Sequence, residues 1–378
     1  MTYKLRLSKA HVLTLIVVVA LALGSVGVLY ASGEDSENWD QIIAAAKKEG
    51  KVVMYANSGR VANAGKIFEA KYGIKVESAK MDDVEVVERI IREADAGVHA
   101  VDVAWIQEPS ALFYELIPGD YVTNYVPPTH KDIIPLEYQD PLVLLFQVRI
   151  FGYNNEAYSE SPIQSLWDLT TKEWEGRLVT RNPLQTSAHL SWFSELVFNR
   201  SDELAADYER RFGEPLELTT PNAGWEFLKR LAQNRPVLVT SDTDASDAVG
   251  ARGQTQPPMG LYVLSKHRDI EVKDLALEVA TGVTPAIGYY YPAYLQMMSE
   301  APHPNAAKLF ISFLLDEEGV SAWTDDLGTY PTNPNIPPLP EDPIGGLSEW
   351  SKVTWTYDVE TAARTRGEIL DFWIRHAR

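Results

Sequence analysis

The sequence predicts an α/β protein of two lobes. Each lobe is a mostly parallel sheet flanked by helices, and two strands cross between them. Three observations carry this expectation. Short apolar runs alternate with stretches of helical periodicity, the pattern of a parallel sheet covered on both faces. The run LVLLFQVRIFGYN over 142–154 is longer than an ordinary strand and suits a segment passing from one lobe to the other. A second such run, AIGYYYPAYLQMM over 286–298, brings the chain back. The expected division is a leader over 1–36, lobe 1 from 37–148 with 292–378, and lobe 2 over 149–291.

The leader comes first. Lys4, Arg6 and Lys9 precede an uncharged run over 12–31, and Glu34, Asp35 and Glu37 follow it. Positive, apolar, then acidic is the pattern of an export signal. As a helix the 20-residue run is about 30 Å long, enough to span a bilayer. Leu29 fills the −3 place before a cut after Ala31, where a small residue is expected. A cleaved signal and a retained anchor both stay open.

In lobe 1 a short amphipathic helix is expected over 39–48, ended by Gly50, then a buried strand over 51–56 (KVVMYA). Asn57-Ser58-Gly59 turns the chain into a helix over 62–72. Strands over 74–78 and 101–105 flank a helix over 84–96. Ligands of such sheets lie beyond the C-terminal ends of the strands, where Asn57-Ser58-Gly59 and Ile106-Gln107-Glu108 fall.

Lobe 2 opens on a short helix and two turns over 162–174. Gly176 releases a strand over 177–180, and Asn182-Pro183 breaks it. Leu190, Phe193, Leu196 and Val197 then recur at helical spacing, so a helix begins at Thr186-Ser187-Ala188. Its free N–H groups and dipole suit an anion; the plainer role of the two hydroxyls is to cap the helix. Helices over 203–211, 222–232 and 244–252 and strands over 237–239 and 259–264 complete the lobe. After the return crossing come helices over 303–315 and 317–326. Six prolines in 331–343 make a loop or strap, and a last helix covers 359–376.

Composition narrows the function. The formal charge of −19 leaves no basic surplus to neutralise phosphates, so nucleic acid is not an expected partner. With no cysteine, a disulfide, a thiolate metal site, a cysteine nucleophile and a lipid anchor on cysteine are all excluded.

The spacing P-x-x-x-x-W-D-L-x-x-x-x-W-x-G-R over 162–177, followed by Asn182-Pro183 and Thr186-Ser187-Ala188, resembles the ferric-iron-binding branch of extracytoplasmic solute-binding proteins. So does HPNAAKLFISFLLDEEGVSAW over 303–323 with TYPTNP over 329–334. The order of these pieces is similar over 52–338. The resemblance implies a type 2 periplasmic-binding-protein-like fold and a receptor that closes by a hinge on a small-molecule or metal-ion ligand. It also implies an ABC permease as membrane partner, a monomer, no enzymatic activity and no obligatory cofactor, Fe³⁺ being at most cargo.

The resemblance also names site positions. Ferric receptors use neighbouring tyrosines, often with a histidine and a carboxylate, because phenolate oxygen suits hard Fe³⁺. Here the histidine position is occupied by Asn57-Ser58-Gly59, the carboxylate position by Gln107 with Glu108 adjacent, and the tyrosine pair by Tyr262-Val263. On the return crossing Tyr289, Tyr290 and Tyr291 are cleft candidates, and alternation lets Tyr289 and Tyr291 face one way; aromatic packing at the hinge is the competing role. The metal set is then Tyr262, Tyr289, Tyr291 and Glu108. The anion set is Ser58, Gly59, Arg149, Thr186, Ser187 and Ala188. Arg149, matched to the pattern R-x-x-x-Y-N, sits in an apolar strand and needs a partner, either an oxyanion or a structural carboxylate. His189 lies near the anion loop, and Lys266-His267-Arg268 reads as solvated.

The expected ligand is therefore ferric iron with an anion, or a small oxyanionic or phosphorylated compound, with thiamine or a polyamine as alternatives. A secreted or anchored hydrolase using carboxylates such as Glu108 and Asp102 is the rival class. No nucleophile elbow or HExxH motif supports it.

Overall fold

The computed structural model describes residues 38–377; the leader lies outside them. No helix among the described residues is long and apolar enough to cross a membrane.

The alternation holds. Helix α1 (Trp39–Glu49) leads into β1 (Lys51–Ala56), α2 (Val61–Tyr72), β2 (Lys75–Lys80), α3 (Asp83–Asp95) and β3 (Val103–Ile106). β1 pairs in parallel with both β2 and β3. α2 ends at Gly73, whose φ of 71° is the left-handed conformation glycine adopts without strain. The short β4 (Val122–Thr123) precedes the first crossing, β5 (Val143–Tyr153).

The second lobe contains β6 (Leu178–Arg181), α4 (Ser187–Phe198), α5 (Ser201–Phe212), α6 (Ala223–Gln233), β7 (Val237–Val239), α7 (Asp242–Gly250), β8 (Met259–Val263) and β9 (Glu278–Val279). β6 lies parallel between β7 and β8. The return crossing is β10 (Gly288–Met298), followed by α8 (Pro304–Leu315), α9 (Glu317–Thr324), β11 (Thr329–Pro331), α10 (Leu347–Val353) and α11 (Val359–His376).

One sheet path runs β2-β1-β3-β10-β5-β8-β6-β7. The parallel strands form its two ends. In the middle β10 and β5 pair antiparallel from Gly288 with Ile150 to Tyr294 with Val143. Each crossing strand also reaches a lobe, β10 through β3 and β5 through β8. Both are almost wholly buried, which explains their unbroken apolar character.

Two departures from the sequence reading bear on the site. α10 and β11 fall in or beside the proline-rich region and carry no periodic signal. The last helix, placed with lobe 1 by chain order, packs on α4 and α6. Trp373 stacks on Phe193 with ring centroids 5.0 Å apart, Phe372 lies 4.4 Å from Trp225, and Thr365 shares a hydrogen bond with Ser194. Its Ala362, Ile369 and Trp373 are buried, so burial of that stripe holds it to the second lobe.

Candidate ligand-binding cleft

A cleft of about 390 Å³ opens between the C-terminal ends of β1 and β3 on one side and β6 and β8 on the other. From the first lobe, the turn Asn57-Ser58-Gly59 carries the chain from β1 into the start of α2. From the second, Thr186 and Ala188 present the start of α4, whose Thr186 makes no side-chain cap. Two helix N-termini thus face one space from opposite walls, each with the positive end of a dipole, although at α2 the N–H groups of Arg60, Ala62 and Asn63 are already bonded within the turn. Six basic side chains line the cleft, Arg60, Lys80, Arg149, Arg181, Lys266 and Arg268, against four acidic ones, Asp82, Asp83, Asp242 and Asp326.

Among the predicted anion residues, Ser58, Gly59, Arg149, Thr186 and Ala188 line this cleft. Ser58 also holds the wall together: Trp323 Nε1 donates to its Oγ at 3.0 Å. Ser187 is a correction. Its hydroxyl turns away from the cleft and donates to the Gln107 carbonyl of the other lobe at 3.0 Å, because a residue at the first helical position points its side chain to one side of the axis while its neighbours take the other.

Arg149 is 2% exposed and already partnered. Both terminal nitrogens donate to the Asp242 carboxylate. Burial opposes its charge, but Asp242 with Tyr291 and Tyr289 outweighs that, and the guanidinium stays ionised well above its ordinary range. Its Nε has no hydrogen-bond partner. The positive charge offered to a ligand comes largely from elsewhere. Lys266 has no carboxylate within ion-pair distance among the described residues, and burial, then Arg268, lowers its pKa. The helical turn over 264–268 swings Lys266 and Arg268 into the cleft, where the sequence reads only a solvated charge run.

The tyrosines separate sharply. Tyr291 lines the cleft, its hydroxyl donating to Gln147 Oε1 at 3.3 Å. Burial, partly offset by Arg149, pushes its phenol up to about 12. Tyr289 shares that strand face but is fully buried, stacked on Trp192 at 5.2 Å. Thr180 donates to the Leu261 carbonyl at 3.1 Å, so it accepts from His189 Nε2 at 2.8 Å. That leaves His189 Nδ1 as acceptor for the Tyr289 hydroxyl. Burial and nearby Arg149 hold His189 neutral, and the Tyr289 phenol keeps its proton. Tyr262 is also fully buried. Its ring covers Gly152 and Gly260, where any side chain would collide with it, and its hydroxyl reaches His267 at 3.3 Å. Tyr290 faces the opposite side of β10, edge-on to Phe146 at 5.8 Å. Glu108 is 3% exposed with both oxygens 2.7 Å from Arg366 of α11. Tyr262, Tyr289, Tyr290 and Glu108 are therefore removed from the candidate cleft set, each by packing or pairing that uses the group internally. Among the described residues, no three His, Asp or Glu side chains converge to hold a metal ion.

Two lobes joined by two strands over a polar cleft make the type 2 periplasmic-binding-protein fold. The chain belongs to the bacterial extracellular solute-binding protein family, whose model matches residues 63–345; it is a binding protein, not an enzyme. None of the curated proteins compared with it is significantly similar in sequence. Solved structures share its fold. Iron-bound HitA from Pseudomonas aeruginosa is 18% identical with a TM-score of 0.67, covering 87% of this chain and 99% of its own. AfuA from Actinobacillus pleuropneumoniae with fructose-6-phosphate is 21% identical with a TM-score of 0.66, covering 87% and 98%. Apo ferric ion-binding protein A from Pasteurella haemolytica is 17% identical with a TM-score of 0.65, covering 86% and 97%.

Proposed function

We propose that this receptor captures a small oxyanionic solute, of the phosphate-ester class, outside the cytoplasmic membrane and delivers it to an ABC permease. The observation that carries this reading is the cleft's excess of cations, with Lys266 and Lys80 unpaired, beside the starts of α2 and α4. The half-buried Lys266 ammonium, without a counter-ion, costs free energy that a bound anion recovers, and exposed Lys80 adds charge at the rim. The phenols that would serve ferric iron argue the other way, since among the described residues only Tyr291 reaches the cleft and it keeps its proton at neutral pH.

Capture proceeds by hinge closure. The ligand binds one wall, β5 and β10 flex, and the second wall completes its contacts. Several bonds accompany the closed arrangement: Arg268 with Asp326 at 2.7 Å, Ser187 with the Gln107 carbonyl, and Arg366 with Glu108. The ligand is cargo, so no resident cofactor enters this scheme. The receptor acts as a monomer, exported by its leader. Native mass spectrometry of the protein from its own host tests the ligand: a released phosphorylated compound is expected. A red, iron-loaded protein with a visible charge-transfer band would replace this reading with the ferric one.

A further inference from the structure

The cleft is unevenly charged, and three of its ionic groups, Asp83, Lys80 and Lys266, lack an ion-pair partner among the described residues. Asp83 opens α3 and is 6% exposed. Asn57 donates to its Oδ1, while Oδ2 accepts no hydrogen bond and no cation lies within ion-pair distance among the described residues. The nearby guanidinium of Arg149 is engaged by Asp242, and that of Arg181 lies 3.6 Å from Asp82 and 4.0 Å from Asp242. Burial raises the Asp83 pKa, although Arg181 partly offsets it. Elsewhere in the cleft, Arg60 and Arg268 share Asp326. Lys80 lies against the Gly59 turn beside Arg60, and Lys266 adds a further unpaired ammonium. Arg60, Lys80, Lys266 and Arg268 therefore outnumber the carboxylates of Asp326 and Asp269, the latter 3.5 Å from Arg268, while Asp82, Asp83 and Asp242 outnumber Arg149 and Arg181.

We propose that the natural ligand is a small zwitterion, with an oxyanionic group seated among Arg60, Lys80, Lys266 and Arg268 and a cationic head seated on Asp83. This rests on the oxyanion reading above and extends it to the other end of the molecule. A phosphate ester with a neutral hydroxyl head satisfies Lys266 but leaves a buried carboxylate uncompensated. An ammonium head supplies three donors and a charge, and converts that cost into a charge-assisted hydrogen bond. A cleft of about 390 Å³ accommodates a molecule of this size.

The test is calorimetry on the intact exported protein with two probes that differ only in the head, 2-aminoethyl phosphate and 2-hydroxyethyl phosphate. The amino ester is expected to bind at least about tenfold tighter, the worth of one charge-assisted hydrogen bond. Asp83→Asn should narrow that ratio to about threefold or less. Lys266→Gln should weaken both esters about tenfold or more, and Lys266→Arg should retain most of the affinity, with melting curves confirming that each variant folds. The ratio in the unmodified protein is decisive by itself, even if Asp83→Asn fails to fold. Equal binding of the two esters, or a preference that survives Asp83→Asn, overturns the zwitterion and leaves the oxyanion reading standing. Failure of both esters to bind overturns both readings.

Discussion

The cleft and the aromatic layer beneath it are built from neighbouring residues of the same strands, yet they treat polar groups in opposite ways. Tyr289 and Tyr291 stand two residues apart on one face of β10, their rings 5.8 Å apart. Beneath the cleft, Tyr289, His189 and Thr180 satisfy one another in a closed chain. In the cleft, Lys266, one oxygen of Asp83 and Nε of Arg149 are left without partners. The contrast teaches that binding capacity resides in polar groups the fold leaves unsatisfied, not in residue types suited to a ligand. Three phenols suit iron; the packing consumes two of them.

Arg149 sits on the border between these regions, and its loss should have the largest effect. Arg149→Gln leaves Asp242 buried without its bidentate partner. Breaking a buried pair from one side costs about 3–5 kcal/mol, so chemical denaturation should show a loss of that order. Adding Asp242→Asn should recover a substantial part. If Arg149→Gln folds with native stability and loses only ligand affinity, Arg149 belongs to the cleft rather than to the scaffold.

The two tyrosines sharpen the comparison with a smaller effect. Tyr289→Phe leaves His189 Nδ1 without a donor, at about 1–3 kcal/mol of stability, and should leave ligand affinity within about threefold. Tyr291→Phe should do the reverse, sparing stability and weakening binding, since its hydroxyl and Gln147 face the cleft. Alkaline titration reads the same burial. A phenol whose folded pKa is raised keeps its full contribution below pH 10 and loses it as pH rises through the folded value, about 12 for Tyr291. Stability should therefore fall above pH 10, with phenolate absorbance near neutral pH absent. Phenolate absorbance in the folded protein at pH 8 would restore the ferric site.

Much of this was legible in the sequence. Alternating periodicities and two overlong apolar runs define the parallel sheets and crossing strands, since burial on both faces leaves no other reading. The start of α4 was legible too, because Asn182-Pro183 and the apolar spacing bracket it. Residue alternation put Tyr289 and Tyr291 on one face, but what lies above that face depends on Trp192 and His189 of α4, a tertiary fact with no local signal. Lys266 reads as solvated in the sequence because a run of Lys, His and Arg looks alike on a surface or on a cleft wall. The partner of Arg149 lies 93 residues away in sequence, beyond any local pattern. Helix α11 carries a clear apolar stripe, but a stripe does not say which lobe it covers.

The smallest predicted effect isolates the closing motion. The Ser187 hydroxyl donates to the carbonyl of Gln107, which belongs to the opposite lobe, so this bond exists only while the two walls are together. Ser187→Ala removes one neutral hydrogen bond whose net worth is about 0.5–1.5 kcal/mol. The backbone start of α4 and its neighbours Thr186 and Ala188 stay in place, so the ligand's own contacts are retained. The loss then falls on the closed arrangement, and affinity should drop about 2- to 13-fold through faster ligand release, with association nearly unchanged. Thr186→Ala, which alters the cleft surface itself, should instead change the relative affinities of different ligands. Stopped-flow binding on both variants separates the two behaviours. Unchanged release from Ser187→Ala would mean that the walls are held by the Arg268–Asp326 and Arg366–Glu108 pairs alone, and that the hydroxyl does no more than satisfy a buried carbonyl.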